Sequence, residues 1–419
     1  MKISPVEFLL FRARESRRSL AFEIQIVFAE TVWRLFKILS IWNVSNLRHL
    51  KMLSVSRVPQ GPDEGVTFFA AEVAVRADNL GEDNPRSDDI YPQLGIKRIQ
   101  KALVTSNRRC TAVIEGGKFY LPNAVDQGPW KIRPGTPNVA GILKQEQNSL
   151  LINVRTSRRE IPRGILAGTL SPHNWFHWTI DTLPSVYLSQ FLPEEYDDVP
   201  LLLPETGLSR SSWREPLELV IGNRELIPLD SHSYSRVSDL IWIDSPTSPG
   251  PVQLEDSSRP KYRMHGSAMR AYRDHMIRET GLHEKPNPKT RRIYLARKQT
   301  GHRPYNQRHL ADVAANYGFE EIYLEDLSYR ESIKVFTEAQ YVIGPHGAGW
   351  ANCLYAGTHA KGLLWSWPQA IKDNWFANVA HVSGMQLRVI YTDPSNQALH
   401  DLQPARLEAE IEGLLSNPQ

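Results

Sequence analysis

Two short stretches of this chain place reactive residue types at spacings that can do chemistry. The first is YVIGPHGAGWANCLYA, residues 341–356. Its apolar start, Tyr341 to Gly344, reads as a short buried strand. Pro345 ends the strand, Gly347 and Gly349 follow, and the residues after them can be helical through Tyr355. A strand, a glycine-rich turn and a helix N-terminus together favour an anion, typically a phosphate, because free N–H groups and the helix dipole both point at it. Glycines let the backbone come close to the ligand and adopt φ > 0. Gly347, Ala348 and Gly349 are therefore expected to cradle phosphate, with His346 as a side-chain donor and Asn352 reaching the ligand from the first turns of the helix.

The second stretch is SPHNWFHWTIDTLPSVYL, residues 171–188. His173, His177 and Asp181 recur at i, i+4, i+8, so on a helix they share one face. A histidine oriented by an aspartate is a general-base arrangement. The same spacing can bind a metal, but no Cys lies nearby and no further His or Glu stands at ligand spacing, so no metal is assigned. Trp175, Phe176 and Trp178 read as core or as a sugar-stacking wall.

The elements around the first stretch support a ligand site. IYLAR (293–297) and EIYLE (321–325) read as strands, with a helix at 307–317 closed by Gly318 between them. A helix at 328–339 opens on Ser328 with Glu331 three residues on, a capping box. GLLWSW (362–367), a helix near 373–382 and LRVIY (387–391) complete the run. Strands alternating with helices predict βαβ units and a parallel sheet, which binds ligands at the carboxyl ends of its strands. The glycine turn and the Arg297 end of IYLAR both lie there. After IYLAR, the loop KQTGHRPYNQ adds Lys298, His302, Arg303 and Asn306. Arginine offers a rigid fork of donors matched to phosphate. A dinucleotide fingerprint is the rival, but it needs Gly or Ala at position 352 and an acid about 20 residues on. The residue at 352 is Asn, and no acid lies between Tyr341 and Lys372.

The order H-x-x-x-H-W-x-x-D-x-L-P, I-Y-L-x-R, R-x-x-N, G-F and G-P-H-G-A-G-x-x-N resembles glycosyltransferase family 61, over about Gly164 to Tyr391. That family includes capsular polysaccharide biosynthesis proteins and eukaryotic O-GlcNAc and xylosyl transferases. The resemblance implies a GT-B-like α/β fold of two Rossmann-like domains facing a cleft, a nucleotide-sugar donor with UDP as the expected carrier, inversion at the anomeric carbon, and no obligatory metal or other cofactor. It implies that Arg297, Arg303, Asn306, His346, Gly347, Ala348, Gly349 and Asn352 bind the donor diphosphate. His173, Asn174 and Trp178 would wall the acceptor, and His177 or Asp181 would be the base. Two departures stand out. The strand after the glycine turn reads LLWSWPQ, without the Glu that relatives often carry near its end, and Gln307 replaces a Glu common in the family. The chain also has no D-x-D pair, the usual metal motif of sugar-nucleotide enzymes.

Composition fits such an enzyme. A chain of 419 residues exceeds the usual single core. Apolar content of 41% and charged content of 23% are those of a soluble globular protein, and a net charge of +3 is too small to argue for nucleic acid. Cys110 and Cys353 make no disulfide framework and are compatible with a reducing compartment, with Cys353 read as packing. Residues 1–52 form a segment of their own. Through Lys51 they hold nine Lys/Arg against four Glu, and Ile24, Phe28, Val32, Leu35, Leu39 and Trp42 recur at helical spacing. No charge-free apolar run there approaches the ~20 residues of a spanning helix, and the basic residues follow the first apolar patch, Phe8 to Phe11, so no cleavable signal is expected. An amphipathic helix lying on an anionic membrane surface is one reading, and a helix packed on the protein body is the other.

The expected organisation is an acceptor domain over 53–245, a linker near 245–261, a nucleotide-sugar domain over 262–392 and a C-terminal helix in 393–419 that packs back across the domains. Residues 114–119 are expected to form a two-residue hairpin, and 78–95 a surface loop. The expected location is the cytoplasm, peripheral at the inner membrane face. A catalytically inactive nucleotide- or saccharide-binding protein is the alternative function, with an NAD-dependent Rossmann enzyme behind it.

Overall fold

The structure is a computed structural model that describes residues 50–55, 66–75, 90–106, 110–120, 141–146, 149–168, 171–248, 262–282, 290–298, 304–368, 375–393 and 401–416. The amphipathic segment before residue 50, most of the expected 78–95 loop, most of the linker, and Arg303 with His302 lie outside the described residues. No described helix is long and apolar enough to cross a membrane.

The C-terminal half follows its sequence pattern closely. Strands Glu320–Tyr323, Arg291–Ala296, Ala339–Pro345, Lys361–Ser366 and Gln386–Tyr391 lie side by side in that order, and every pair is parallel. Their side chains alternate between two covered faces, as the pleat requires. Ile293, Leu295, Val342 and Leu364 face one apolar cluster. Tyr294, Ala296, Ile343, Leu363 and Trp365 face another. Helix Tyr329–Thr337 opens on the expected capping box: Ser328 accepts from the Glu331 N–H, and Glu331 accepts from the Ser328 N–H at 2.7 Å. Gly318 closes helix Gln307–Asn316 at φ +76°.

Three local expectations are corrected. The strand at 321–325 stops at Tyr323, because Leu324–Asp326 tightens into a 3₁₀ turn. The residues after the glycine turn, Ala348–Tyr355, form a 3₁₀ rather than an α-helix. The last helix, Pro404–Ser416, does not cross between sheets. Leu407 and Ile411 cover the second face of the parallel sheet beside Leu310 and Ala314 of helix Gln307–Asn316.

The N-terminal half departs from a purely Rossmann-like plan. Its largest sheet has eleven strands among the described residues. Leu226–Leu229, Leu201–Pro204, Thr156–Leu166 and Tyr234–Ile243 form a parallel set, with helices in the connections from Leu166 to Leu201 and from Pro204 to Leu226. From Leu94–Ser106 onward the pairing is mostly antiparallel, through hairpins without helices. The hairpin of Thr111–Glu115 with Lys118–Tyr120 turns at Gly116 and Gly117, at φ +54° and +80°, as the sequence predicts. The architecture is thus mixed α/β. One apolar cluster joins the halves, with Ile165, Leu201 and Ile241 from the first sheet and Ile293 and Leu364 from the second. The helical run 175–188 supplies Phe176, Trp178, Ile180, Leu183 and Val186 to it.

Close packing of the parallel strands yields a testable consequence. A Cβ on Gly344 would lie 2.8 Å from the Leu295 Cβ and 3.0 Å from the Leu295 carbonyl oxygen. Neither atom can swing away. Gly344→Ala is expected to destabilise the protein by about 1–3 kcal/mol, as overpacking does, read as a lowered melting temperature. An unchanged melting temperature would show that the strands spread at no cost.

Candidate functional site

The helical run that carries His177 and Asp181 is irregular, and its irregularity has a local cause. Asn174 caps it, its Oδ1 accepting from the Phe176 N–H at 2.9 Å. After the α-turn Trp175–His177, residues Trp178–Thr182 widen into a π-helix, with the Leu183 N–H bonded to the Trp178 carbonyl five residues back. Pro184 lacks an N–H, and its ring would collide with the carbonyl four residues earlier in a regular helix. Such widened turns recur at functional sites. His173 lies before the cap, so the expected three-residue stripe reduces to a pair. His177 Nδ1 stands 2.6 Å from Asp181 Oδ2.

Asp181 is completely buried. Its other oxygen accepts from Thr247 Oγ1 at 2.5 Å and from the Tyr262 hydroxyl. An isolated buried carboxylate is strongly disfavoured, and three donors offset that cost. Burial, then the nearby Asp181 charge, pushes the Tyr262 hydroxyl far up, so it remains a proton donor. If Nδ1–H is given to the carboxylate, the imidazole lone pair sits on Nε2. His177 is 6% exposed, and its ring is flanked by Trp375 at 5.3 Å and Phe176 at 5.5 Å. Asp181 is enclosed, so His177 Nε2 is the atom of the pair left for chemistry.

The glycine turn is built differently from the expectation. Gly347 is extended at φ −176°, and neither it nor Gly349 adopts a positive φ. Gly349 serves close approach, whereas a side chain at 347 would meet only ordinary contact. A Cβ on Gly347 would lie 3.4 Å from Arg297 Cδ, and one on Gly349 would lie 2.9 Å from Leu324 Cδ1. Arg297 leaves the end of its strand, stacks over Tyr305 at 5.2 Å and donates to the His346 carbonyl at 3.3 Å. Trp350 Nε1 donates to the Pro345 carbonyl at 3.0 Å and braces the turn. The first bond of the 3₁₀ helix runs from the Trp350 N–H to the Gly347 carbonyl. The Ala348 and Gly349 N–H groups precede it and have no acceptor within the helix.

The two stretches, some 170 positions apart in the chain, meet through aromatic side chains. The Phe176 ring packs on Phe376 at 5.3 Å, and Phe376 packs on His346 at 4.9 Å. Trp375 stacks on Phe176 at 5.7 Å, and Trp367 lies 4.7 Å from His346. The structure therefore brings together His177, His346, Arg297 and the Gly347–Gly349 turn.

Other expected residues have different roles. Trp178 is fully buried against Trp213, with Nε1 donating to the Trp213 carbonyl at 3.2 Å, so it is core and not acceptor wall. The Asn174 side chain is spent on capping. Asn306 binds the segment before the last helix: its N–H donates to Asp401 and its Nδ2 to the Leu402 carbonyl, both at 2.8 Å. That makes it a structural tie rather than a phosphate ligand. Asn352 is 2% exposed and donates back to the Gly349 carbonyl at 3.0 Å, supporting the turn from within. Cys353 is packing, its thiol pushed up by burial.

Sequence reasoning did not find Thr247, Tyr262, Tyr305, Trp375 or Phe376, none of which stands at a recognisable spacing from the pair. Gln307 accepts weakly from the Arg297 N–H at 3.4 Å and donates to the Tyr323 hydroxyl at 2.7 Å. Ser366 ends the strand after the turn, and its buried hydroxyl has no partner among the described residues. No group of three or more His, Cys, Asp or Glu placed to hold a metal occurs among the described residues.

No curated protein matches the chain. Residues 175–363 match the family model described as Glycosyltransferase 61. The match opens on the helical run of His177 and Asp181 and includes Arg297 and the whole glycine turn, so the residues drawn together here fall within it. Residues 175–363 thus carry a glycosyltransferase family 61 region, which supports a glycosyltransferase.

Proposed function

We propose that this enzyme is an inverting, metal-independent transferase that moves a sugar from a nucleotide-sugar donor, with UDP as the expected carrier, to a saccharide or lipid-linked saccharide. Synthesis of a capsular or other surface polysaccharide is the setting this reading favours. The observation that carries it is the meeting of an aspartate-held histidine with an arginine-guarded glycine turn, across Phe176 and Phe376.

In this reading the nucleotide lies at the carboxyl ends of the parallel strands, in a GT-B-like arrangement. Arg297 and the Ala348 and Gly349 N–H groups hold the diphosphate. His177 Nε2 removes the proton of the acceptor hydroxyl as its oxygen attacks the anomeric carbon. The bond from that carbon to the diphosphate oxygen breaks on the opposite face, and configuration inverts. Charge grows on the leaving diphosphate, where a fixed guanidinium and oriented N–H groups stabilise it. These donors supply what a divalent cation supplies elsewhere. Partly exposed Trp375, beside His177, offers the sugar-stacking face once expected of Trp178. The basic, helix-patterned residues before Leu50 would hold the enzyme at the inner membrane face, near lipid-linked acceptors.

Three measurements follow from these roles. Arg297→Ala should weaken binding of a nucleoside diphosphate by about 1.5–3 kcal/mol, a factor of about ten to a hundred, with little change for the nucleoside alone. Equal losses for the two ligands would remove Arg297 from the phosphate site.

Asn306→Ala is the structural control. It should lower the melting temperature through a loss of about 1–3 kcal/mol, while nucleoside diphosphate affinity stays within about twofold of the parent. A large affinity loss at unchanged stability would return Asn306 to the ligand.

A panel of nucleotide sugars and saccharide acceptors, assayed for transfer with excess EDTA present, tests the reaction itself. The parent should transfer sugar, and His177→Ala should lose about 10²–10⁴-fold in rate with donor affinity kept. Donor binding without transfer by the parent would favour the inactive binding protein. Rescue only by Mn²⁺ or Mg²⁺ would overturn metal independence.

A further inference from the structure

The histidine–aspartate pair has a second layer that the family match leaves unassigned. Thr247 lies in strand Thr247–Ser248, which pairs antiparallel with Arg263–Met264 in a two-stranded ribbon. Tyr262 immediately precedes the second of these strands. The ribbon forms where the chain passes from the mixed sheet to the parallel sheet. Both of its hydroxyls end on the same oxygen, Asp181 Oδ1, leaving Oδ2 to His177. Thr247 is completely buried and Tyr262 is 1% exposed, so water does not stand in for either donor. The ribbon is itself held from the parallel-sheet side, because Asn378 Nδ2 donates to the Tyr262 carbonyl at 2.5 Å. Asn378 lies in helix Trp375–Ser383, whose first residue packs on the His177 ring.

We propose that Thr247 and Tyr262 are positioning residues for the reaction, fixing Asp181 so that His177 keeps its proton on Nδ1 and presents a bare Nε2 to the acceptor. The inference rests on the reading of His177 as base. Hydroxyl donors at Oδ1 draw electron density from the carboxylate and hold its plane, which sets how strongly Oδ2 attracts the Nδ1 proton. Removing a donor makes Asp181 more basic. The imidazolium is then better stabilised, and His177 binds its second proton at higher pH. If Asp181 itself takes a proton, it donates to Nδ1 and forces hydrogen onto Nε2, the wrong tautomer. Both effects shift the loss of a free Nε2 upward in pH.

Other ionisable groups near Asp181 leave this signal clear. Tyr262 and Tyr91 are held neutral, their hydroxyls pushed up by burial. Tyr91 donates to the Ser245 carbonyl at 2.9 Å and lies under Arg263. Lys97 and Asp244 are paired with each other. His265, 5.7 Å from the Tyr91 ring, has its pKa lowered by burial.

The test needs no substrate. Protein labelled with ¹⁵N-histidine reports tautomer and titration of each ring by NMR, and His177→Gln identifies the His177 signals. The parent should show the Nδ1–H tautomer at His177. Tyr262→Phe and Thr247→Val should each raise the His177 titration by about half a pH unit or more, and Thr247→Ser, which keeps the hydroxyl, should restore the parent value. Should Tyr262→Phe not fold, the Thr247 pair of variants carries the test alone. An unchanged tautomer and titration in Thr247→Val would overturn the positioning role while leaving the base assignment standing. Full transfer by His177→Ala in the assay above would instead overturn the base assignment.

Discussion

A carboxylate with no access to water constrains the centre of this enzyme. Asp181 is fully enclosed by protein, and an uncompensated charge in such a place would be ruinous to stability. Every neighbour answers that constraint. The helix widens at Trp178–Thr182, and the Asp181 side chain meets His177 at one oxygen. A ribbon from the crossing between the sheets delivers two hydroxyls to the other. Removing any one donor leaves a buried charge half satisfied, which costs more than the lost bond itself.

The second organising fact is the position of the parallel sheet. Its strand Ala339–Pro345 runs centrally, with Arg291–Ala296 on one side and Lys361–Ser366 on the other. The turn at its carboxyl end is therefore flanked by Arg297 and by the Trp365–Trp367 segment. The His346 N–H is bonded to the Trp365 carbonyl at 2.8 Å, and its carbonyl accepts from Arg297. Glycine at 349 leaves room for Leu324. The Arg297 guanidinium is thus held against the turn, and the rings of Trp367 and Phe376 pack on His346.

What could be read in the sequence was what local rules govern. The capping box at Ser328, the glycine ending helix Gln307–Asn316, the Gly116–Gly117 hairpin and the alternation of Ile293, Tyr294 and Leu295 all depend on neighbours a few residues away, and each is present. Asn306 and Asn352 looked like ligands because asparagine beside a basic loop or a phosphate turn is chemically plausible. Their partners, Leu402 and the Gly349 carbonyl, are matters of packing. Trp178 stood one residue from His177, but the widened helix turns it into the core. Thr247 and Tyr262 were illegible because a buried hydroxyl leaves no mark at a distance of 66 or 81 residues. The antiparallel half of the first sheet was missed because short, irregular strands without periodic helices between them give little signal.

The apolar cluster shared by the two sheets bears on how the molecule comes into being. The helical run 175–188 leaves the ribosome 81 positions ahead of the tyrosine that satisfies its aspartate, and farther still ahead of Ile293, Val342 and Leu364, which cover its apolar side chains. At about 5–20 residues per second, the nascent chain spends several seconds or more with that helix uncovered and its carboxylate unanswered. The first sheet can form early, yet the histidine–aspartate pair cannot settle until the second sheet has been made and docked. Assembly of this junction is therefore among the last events of biosynthesis, and until then the chain presents an apolar surface of the kind that molecular chaperones bind.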